Sequence, residues 1–261
     1  MKGIAGKVAI VTGGASGLGA GLVRVFVQAG LKVVIADVLD QPAGRLVHEL
    51  GQACLFHHTD LCSDADLQSL VDAAAGRFGG IDFLVNVACS YAEHGVHTDR
   101  AGWHAVFDVN LIGHVMLMQK ALPWLRKSAA PSIVNFSSAS GHIAQGGRWV
   151  YPATKAAIEQ LTRSAALDLA QDGIRVNAVL PGMIGKPPEE YASEEAARRI
   201  AGLAERFSMF SRLQTPEEVG EAVLFLCSHH ARFITGSCLA ADGGYTALGP
   251  QGKEVHVPRR P

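Results

Sequence analysis

The chain has 261 residues, of which 48% are hydrophobic, and a formal net charge of -1 at pH 7. This length and composition predict one domain with an ample buried core. The near-zero charge argues against nucleic acid or an anionic membrane as a main partner. The apolar runs are too short to cross a bilayer, and we expect no signal peptide because the first residues lack an apolar stretch.

Five cysteines are scattered along the sequence and never occur as Cys-x-x-Cys. Their odd number and their spacing predict free thiols rather than a disulfide framework. We therefore expect the protein to work in the reducing cytoplasm.

Strand-like and helix-like patterns alternate along the chain. The predicted strands cover residues 7–12, 31–36, 53–57, 83–87, 132–136, 175–180 and 237–241. The predicted helices cover residues 17–29, 41–50, 65–78, 100–127, 151–171 and 217–228. The strands are apolar throughout, which is typical of a sheet covered by helices on both faces. The pattern predicts an α/β fold with a doubly wound, seven-stranded parallel sheet.

We predict that residues 1–248 form a single domain, because no linker or repeat divides them. Residues 183–213 interrupt the alternation after a strand end and are predicted to form a lid over a substrate. Residues 249–261 are predicted to form a polar C-terminal tail.

A glycine-rich turn links the first predicted strand to the first predicted helix, with the sequence Thr12-Gly13-Gly14-Ala15-Ser16-Gly17-Leu18-Gly19. Glycines let the backbone approach a pyrophosphate, which then meets the positive end of the helix. A glycine cluster between a strand and a helix therefore predicts a dinucleotide site.

Asp37 follows the second predicted strand, where a carboxylate can accept both hydroxyls of an adenosine ribose. No arginine or lysine stands at positions 36–40 to attract a 2′-phosphate, so NAD is predicted over NADP. Asp60, after the third strand, is placed to reach the adenine amine. The alternative that Asp37 and Asp60 only cap turns stays open.

Tyr151 and Lys155 are four residues apart, which places them on one face of a helix, one turn from each other. A lysine ammonium beside a phenol favours the phenolate and makes a proton-transfer pair. The hydroxyl of Ser138, from another element, is placed to hold a substrate oxygen against that phenol.

These motifs together resemble the short-chain dehydrogenases/reductases. The resemblance covers about residues 5–246 and rests on an ordered set: Thr12-Gly13-x3-Gly17-x-Gly19, Asp60, Asn86-x-Ala88, Asn110, Ser138, Tyr151-x3-Lys155 and Pro181-Gly182. The overall pattern resembles the bacterial NAD-dependent alcohol dehydrogenases of this family, and residues 19–24 and 122–128 resemble its type-14 17β-hydroxysteroid dehydrogenases. The resemblance implies a Rossmann-type fold and an oxidoreductase that moves hydride between NAD and a secondary alcohol or ketone.

The resemblance also implies a catalytic tetrad. Tyr151 would be the general acid/base, and Lys155 would support its phenolate and bind the nicotinamide ribose. Ser138 would bind the substrate oxygen, and Asn110 would support a water that relays protons to Lys155. The implied cofactor-binding residues are Gly13, Ser16, Gly17, Leu18, Gly19, Asp37, Asp60, Leu61, Asn86, Ala88, Tyr151, Lys155, Pro181, Gly182 and Ile184.

Two residues depart from the family pattern. Cys89 replaces a glycine after the fourth strand, and Lys186 replaces a threonine that often binds the carboxamide. These departures motivate an alternative function, a dinucleotide-binding sensor without catalysis. A hydroxysteroid dehydrogenase is the other alternative.

The substrate pocket is predicted from the positions that vary substrate in the family: Tyr91, Ser140, Gln145, Trp149 and Met183. This mixture of aromatic and hydrogen-bonding side chains suits a small uncharged alcohol or ketone. The resemblance also implies a homotetramer. Several histidines raise the question of a metal, but no carboxylate or cysteine stands at a suitable spacing in the sequence, so none is predicted.

Overall fold

The computed structural model describes residues 1–185, 191–249 and 252–253. Seven strands form one sheet: β1 Val8–Thr12, β2 Lys32–Asp37, β3 Cys54–His58, β4 Phe83–Asn86, β5 Ser132–Phe136, β6 Arg175–Pro181 and β7 Cys238–Ala241. Their order is β3-β2-β1-β4-β5-β6-β7, and every neighbouring pair is parallel. The predicted fold class, a seven-stranded doubly wound parallel sheet, is confirmed.

The helices are α1 Gly17–Gln28, α2 Asp40–Leu50, α3 Asp64–Phe78, α4 Arg100–Phe107, α5 Gly113–Leu125, α6 Val150–Leu169, α7 Glu194–Phe207 and α8 Pro216–Cys227. The buried apolar side chains form two clusters, one on each face of the sheet. Helices α1, α2 and α8 contribute to one cluster, while α3, α5 and α6 contribute to the other. Both faces are covered, which explains why the strands are continuously apolar.

The strand order reverses between β1 and β4, the position at which doubly wound sheets open a crevice. Thr12 pairs in register with Ala36 on one side and with Asn86 on the other, and Asn86 pairs with Asn135. The loops after β1, β2, β4 and β5 therefore leave the sheet along one edge. This edge gathers most of the residues that the sequence analysis selected.

The predicted helix over residues 100–127 is helical as far as Leu125, but it is not α-helical throughout. A π-helical turn at Asp108–Ile112 separates α4 from α5, and the fully buried Asn110 lies within that turn. A π turn admits one extra residue per turn, which a 3.6-residue apolar pattern does not reveal. Close packing follows at Gly113, where a Cβ atom would lie 2.5 Å from the carbonyl oxygen of Leu61.

Helix α7 lies inside residues 183–213 and was not predicted as a separate helix. Its apolar residues Ile200, Leu203, Ala204 and Phe207 recur at helical spacing, so the pattern was present but lay in a segment interpreted only as a lid. Residues 186–190, and most of the predicted tail at 249–261, lie outside the described residues, so the lid and the tail stay predictions. The other predicted elements agree with the structure to within two residues at each end. Among the described helices, none combines the length and apolarity needed to cross a membrane.

Candidate active site

Tyr151 and Lys155 lie in the first turns of α6 and are both buried, with exposed fractions of 7% and 2%. The Lys155 Nζ atom lies 5.3 Å from the centroid of the Tyr151 ring. It donates a hydrogen bond of 2.8 Å to the carbonyl oxygen of Phe136, at the end of β5. An ammonium has three donors, so Lys155 keeps further N–H groups available beside the tyrosine.

Tyr91 stacks against Tyr151, with ring centroids 4.5 Å apart. Its hydroxyl donates a long hydrogen bond of 3.4 Å to the Tyr151 hydroxyl oxygen. Loss of hydration raises the pKa of Tyr91 above its ordinary range, and the neighbouring Cys89 and Tyr151 raise it further. Tyr91 therefore stays protonated and serves as a donor to Tyr151. Cys89, the residue that departs from the family pattern, lies beside this pair of phenols.

Glu93 connects the loop after β4 to the helix that carries Tyr151. Its carboxylate accepts hydrogen bonds from the backbone N–H groups of Trp149, Val150 and Tyr151, at 2.6, 2.7 and 3.1 Å. The first N–H groups of a helix have no partner within the helix, and a negative charge there is favourable. Glu93 thus caps α6 from a distant loop and fixes the turn from which the Tyr151 side chain projects.

Ser138 begins a short 3-10 turn after β5. Its Oγ accepts a hydrogen bond from the Ser140 backbone N–H at 3.2 Å and lies 3.1 Å from the Ser140 Oγ. Ser140 Oγ donates in turn to Gln145 Oε1 at 2.9 Å. The structure therefore joins three of the predicted site residues in one polar network.

The side chain of Asn110 contacts Ser90 and Thr154 rather than Lys155. Its Oδ1 accepts from the Ser90 N–H at 2.6 Å, while its Nδ2 donates to the Ser90 oxygen at 3.0 Å and to Thr154 Oγ1 at 3.2 Å. These bonds tie the π turn to the loop after β4 and to α6. The proton relay through a water at Asn110 stays a prediction.

His114 is a buried histidine that the sequence analysis did not select. Thr12 Oγ1 accepts from the N–H groups of Val87 and Ala88, so its own proton points to His114 Nε2 at 3.5 Å. The other ring nitrogen then donates to the Asn110 carbonyl at 3.2 Å. Burial lowers the pKa of His114 to about 3, with the charge of Lys155 as the next cause. A neutral imidazole therefore lies close to the Lys155 ammonium.

The backbone of the glycine-rich turn after β1 is packed too closely to admit side chains at Gly13 and Gly19. A Cβ atom at Gly13 would lie 2.8 Å from the Ala88 Cα, and Gly13 has a positive φ of 65°. A Cβ atom at Gly19 would lie 1.9 Å from the Gly13 oxygen. Ser16 occupies the N-cap position of α1. Only glycine can occupy these two positions. Such a glycine-rich turn before a helix N-terminus is what a pyrophosphate-binding site requires.

The Asp37 carboxylate borders this turn and is largely buried. Its Oδ2 accepts from the Ala15 N–H at 3.0 Å, and its Oδ1 accepts from the Leu39 N–H at 3.1 Å. Each carboxylate oxygen retains further acceptor capacity for a ribose hydroxyl. The residues present therefore fit a dinucleotide whose ribose carries free hydroxyls.

The remaining predicted cofactor residues surround the same edge. Asn86 is buried, and its Oδ1 has no hydrogen-bond partner in the described part of the chain. Asp60 Oδ1 accepts from the Cys62 N–H at 2.9 Å. Gly182 donates to Gln214 Oε1 at 3.2 Å. Ser16, Gly17, Leu18, Leu61, Pro181 and Ile184 lie in or beside the loops that leave this edge.

Two of the predicted pocket residues, Trp149 and Met183, have no described contact with the predicted catalytic tetrad. Trp149 is 54% exposed at the start of α6. Met183 lines a cavity of about 100 Å³ with Phe210, Gln214 and Asp242. Lys186 lies outside the described residues. The roles of Trp149, Met183 and Lys186 in substrate or cofactor binding stay predictions.

Glu93 and His114 are the residues that sequence reasoning missed. His114 stands four residues after Asn110, so helical spacing could have placed the two on one face. No sequence spacing could have placed Glu93 in the site, because the three N–H groups that it binds are more than fifty residues away in sequence.

The chain is similar to known proteins along most of its length. A sequence model of the family described as Enoyl-(Acyl carrier protein) reductase matches residues 13–246. The cis-4-hydroxycyclohexanecarboxylate dehydrogenase of Sinomonas cyclohexanicum is 38% identical over 251 residues, 93% of this chain and 97% of the relative. The 3-alpha-(or 20-beta)-hydroxysteroid dehydrogenase of Mycobacterium bovis is 35% identical over 244 residues, 93% of this chain and 90% of the relative.

The fold also matches solved structures. The 3-ketoacyl-(acyl-carrier-protein) reductase of Brucella melitensis, solved in complex with NADH, superposes with a TM-score of 0.84 at 31% identity. The match covers 93% of this chain and 99% of the reductase. With the glycine turn, the ordered sheet edge and the buried Tyr151–Lys155 pair, these likenesses show that the chain belongs to the short-chain dehydrogenase/reductase family of oxidoreductases.

Proposed function

We propose that the protein is an NAD-dependent alcohol dehydrogenase or ketoreductase that acts on a secondary alcohol or the matching ketone. The observation that carries the proposal is the buried pair of Tyr151 and Lys155 at the sheet edge where the glycine turn and Asp37 also lie. When bound there, the nicotinamide accepts or gives the hydride. The family and the relatives that are dehydrogenases support the reaction class.

In this proposal Tyr151 moves the proton of the substrate hydroxyl. In the oxidative direction its phenolate oxygen takes that proton, and in the reductive direction its hydroxyl returns it. Lys155 supports the phenolate through its nearby ammonium, and Tyr91 donates to the same oxygen. The Ser138 hydroxyl holds the substrate oxygen at the end of the polar network that includes Ser140. General acid–base help of this kind contributes about 10²–10⁴-fold in rate.

The substrate is proposed to be an uncharged secondary alcohol or ketone. The aromatic surface of Tyr91 beside Tyr151 supports this choice, because ligand sites are lined mainly by apolar and aromatic groups. A hydroxysteroid is the second candidate, and it is favoured by the likeness to the mycobacterial hydroxysteroid dehydrogenase.

Replacing Tyr151 by phenylalanine tests the proposed reaction. We expect Tyr151→Phe to lower kcat/KM by about 10²–10⁴-fold, because the proton carrier is lost while the ring remains. The measurement is nicotinamide absorbance in a panel of secondary alcohols and ketones, including hydroxysteroids. Tyr245→Phe, the same change at a ring that packs on Phe207, is the control and should keep full turnover. Binding of the dinucleotide without turnover of any compound would favour the sensor alternative instead.

Glu93→Ala is expected to lower kcat by about ten- to a hundredfold, because a small misplacement of the Tyr151 turn is costly to catalysis. Glu93→Gln keeps one acceptor oxygen, so its kcat should lie between those of Glu93→Ala and the unsubstituted protein. Ser63→Ala, which removes the cap of α3, is the matched control for lost helix capping. If Glu93→Ala and Ser63→Ala lose similar stability but only Glu93→Ala loses kcat, the positioning role of Glu93 is supported. Unchanged turnover in Glu93→Ala would refute a positioning role.

Asp37→Ala is expected to lower the ratio of kcat/KM with NAD to kcat/KM with NADP by at least about tenfold, because the carboxylate no longer repels the 2′-phosphate. Parallel initial rates with the two cofactors measure the ratio. Asp40→Ala removes an exposed carboxylate three residues later and should leave the ratio unchanged. An unaltered ratio in Asp37→Ala would mean that Asp37 does not meet the ribose.

We further propose that the protein is a homotetramer. Two large apolar side chains support this proposal: Leu167 on α6 is 76% exposed and Phe233, after α8, is 100% exposed. Single exposed apolar residues also occur on monomers, so the proposal rests mainly on the family, whose members commonly form tetramers. Multi-angle light scattering should give four times the mass of the chain, and a monomer at assay concentration would refute the proposal.

A further inference from the structure

Three side chains of types that can bind a metal ion lie close together beside Ser138 and α6. His142 lies in that loop, Glu159 lies on α6, and Cys238 begins β7. One ligand atom from each lies within 4.8 Å of the other two. His142 Nε2 and Glu159 Oε1 are 2.8 Å apart. The sequence predicted no metal because these residues stand far apart in the chain, and the fold alone brings them together.

We infer that His142, Glu159 and Cys238 form a binding site for Zn²⁺. Zn²⁺ accepts imidazole nitrogen, carboxylate oxygen and thiolate sulfur, and sites with three protein ligands keep a fourth position for water. Tetrahedral ligands around Zn²⁺ lie roughly 3.4–3.7 Å apart. The cluster therefore needs side-chain shifts of about 1 Å, which is small for a half-exposed His142.

The charge at Glu159 favours a cation. Its side chain is only 9% exposed, and within the described residues its one ion-pair partner is the half-exposed His142. A buried carboxylate is costly unless it is paired. Arg163, four residues after Glu159 on α6, hydrogen-bonds Gln160 through its Nε and Nη2 atoms. A divalent ion would add a full positive charge beside a carboxylate whose partners are the half-exposed His142 and the Ser137 hydroxyl.

The surroundings already orient the ligands. Ser137 Oγ donates to Glu159 Oε1 at 2.5 Å, as an outer partner that fixes a metal-binding carboxylate. Zn²⁺ binds cysteine as the thiolate, so the proton of Cys238 would leave to solvent when the ion binds.

A bound ion would connect three elements around the active site. It would fasten the loop that carries Ser138 to α6 and to β7. Ser137, which precedes Ser138, contacts both Glu159 and the Lys155 carbonyl oxygen. The inferred role of the ion is to hold the Ser138 loop in place, and it does not depend on the proposed substrate or cofactor.

Cobalt substitution tests the site in the full-length chain without a histidine tag. We expect one Co²⁺ per metal-free chain, with the near-ultraviolet band of a cobalt–thiolate bond and the visible bands of tetrahedral Co²⁺. Zn²⁺ should displace it and raise the melting temperature, because a ligand that binds the folded state stabilises it. Absence of a thiolate band at saturating Co²⁺ would overturn the inference.

Two variants and a control locate the ligands. Cys238→Ser should lose the thiolate band, and His142→Gln should weaken Co²⁺ binding by at least about tenfold. Cys62→Ser should keep both the thiolate band and the Co²⁺ affinity. The exposed Cys62 thiol lies near Asp60 and Asp108 but outside this cluster. Loss of the band in Cys62→Ser but not in Cys238→Ser would refute the assignment. If Cys238→Ser does not fold, His142→Gln decides, because its side chain is half exposed.

Discussion

The common direction of the seven strands is the constraint on which the site depends. In a parallel sheet every strand ends at the same edge, so residues from distant parts of the chain meet there. The register through Ala36, Thr12, Asn86 and Asn135 aligns four strand ends. The glycine turn, the Asp37 carboxylate, the β4 loop and the Ser138 loop follow from these ends. The sheet thus positions both the cofactor cradle and the reacting groups.

Hydrogen bonds between the loops then set the finer geometry. Glu93 binds the first turn of α6, and Asn110 binds both Ser90 and Thr154. Lys155 reaches back to the end of β5. Three segments, the loop after β4, the π turn and the end of β5, thereby hold the helix that carries Tyr151. Such contacts are worth most where water is excluded, which fits the burial of Tyr151 and Lys155.

The sequence predicted most of the sheet and the central pair because both depend on local patterns. Continuous apolar runs located all seven strands, and the four-residue spacing of Tyr151 and Lys155 located the helix face. The π turn around Asn110 was missed because one extra residue leaves the apolar period almost unchanged. Glu93 and the cluster of His142, Glu159 and Cys238 depend on contacts across the fold, which no spacing in the chain encodes.

The account places a hydride acceptor and a proton acceptor side by side at one sheet edge. A secondary alcohol that carries deuterium on its carbinol carbon tests this arrangement most directly, with mass spectrometry of the reduced cofactor. The account predicts one deuterium in the reduced nicotinamide for each ketone formed. Ketone formation without deuterium in the cofactor, or no oxidation of any labelled alcohol, would contradict it.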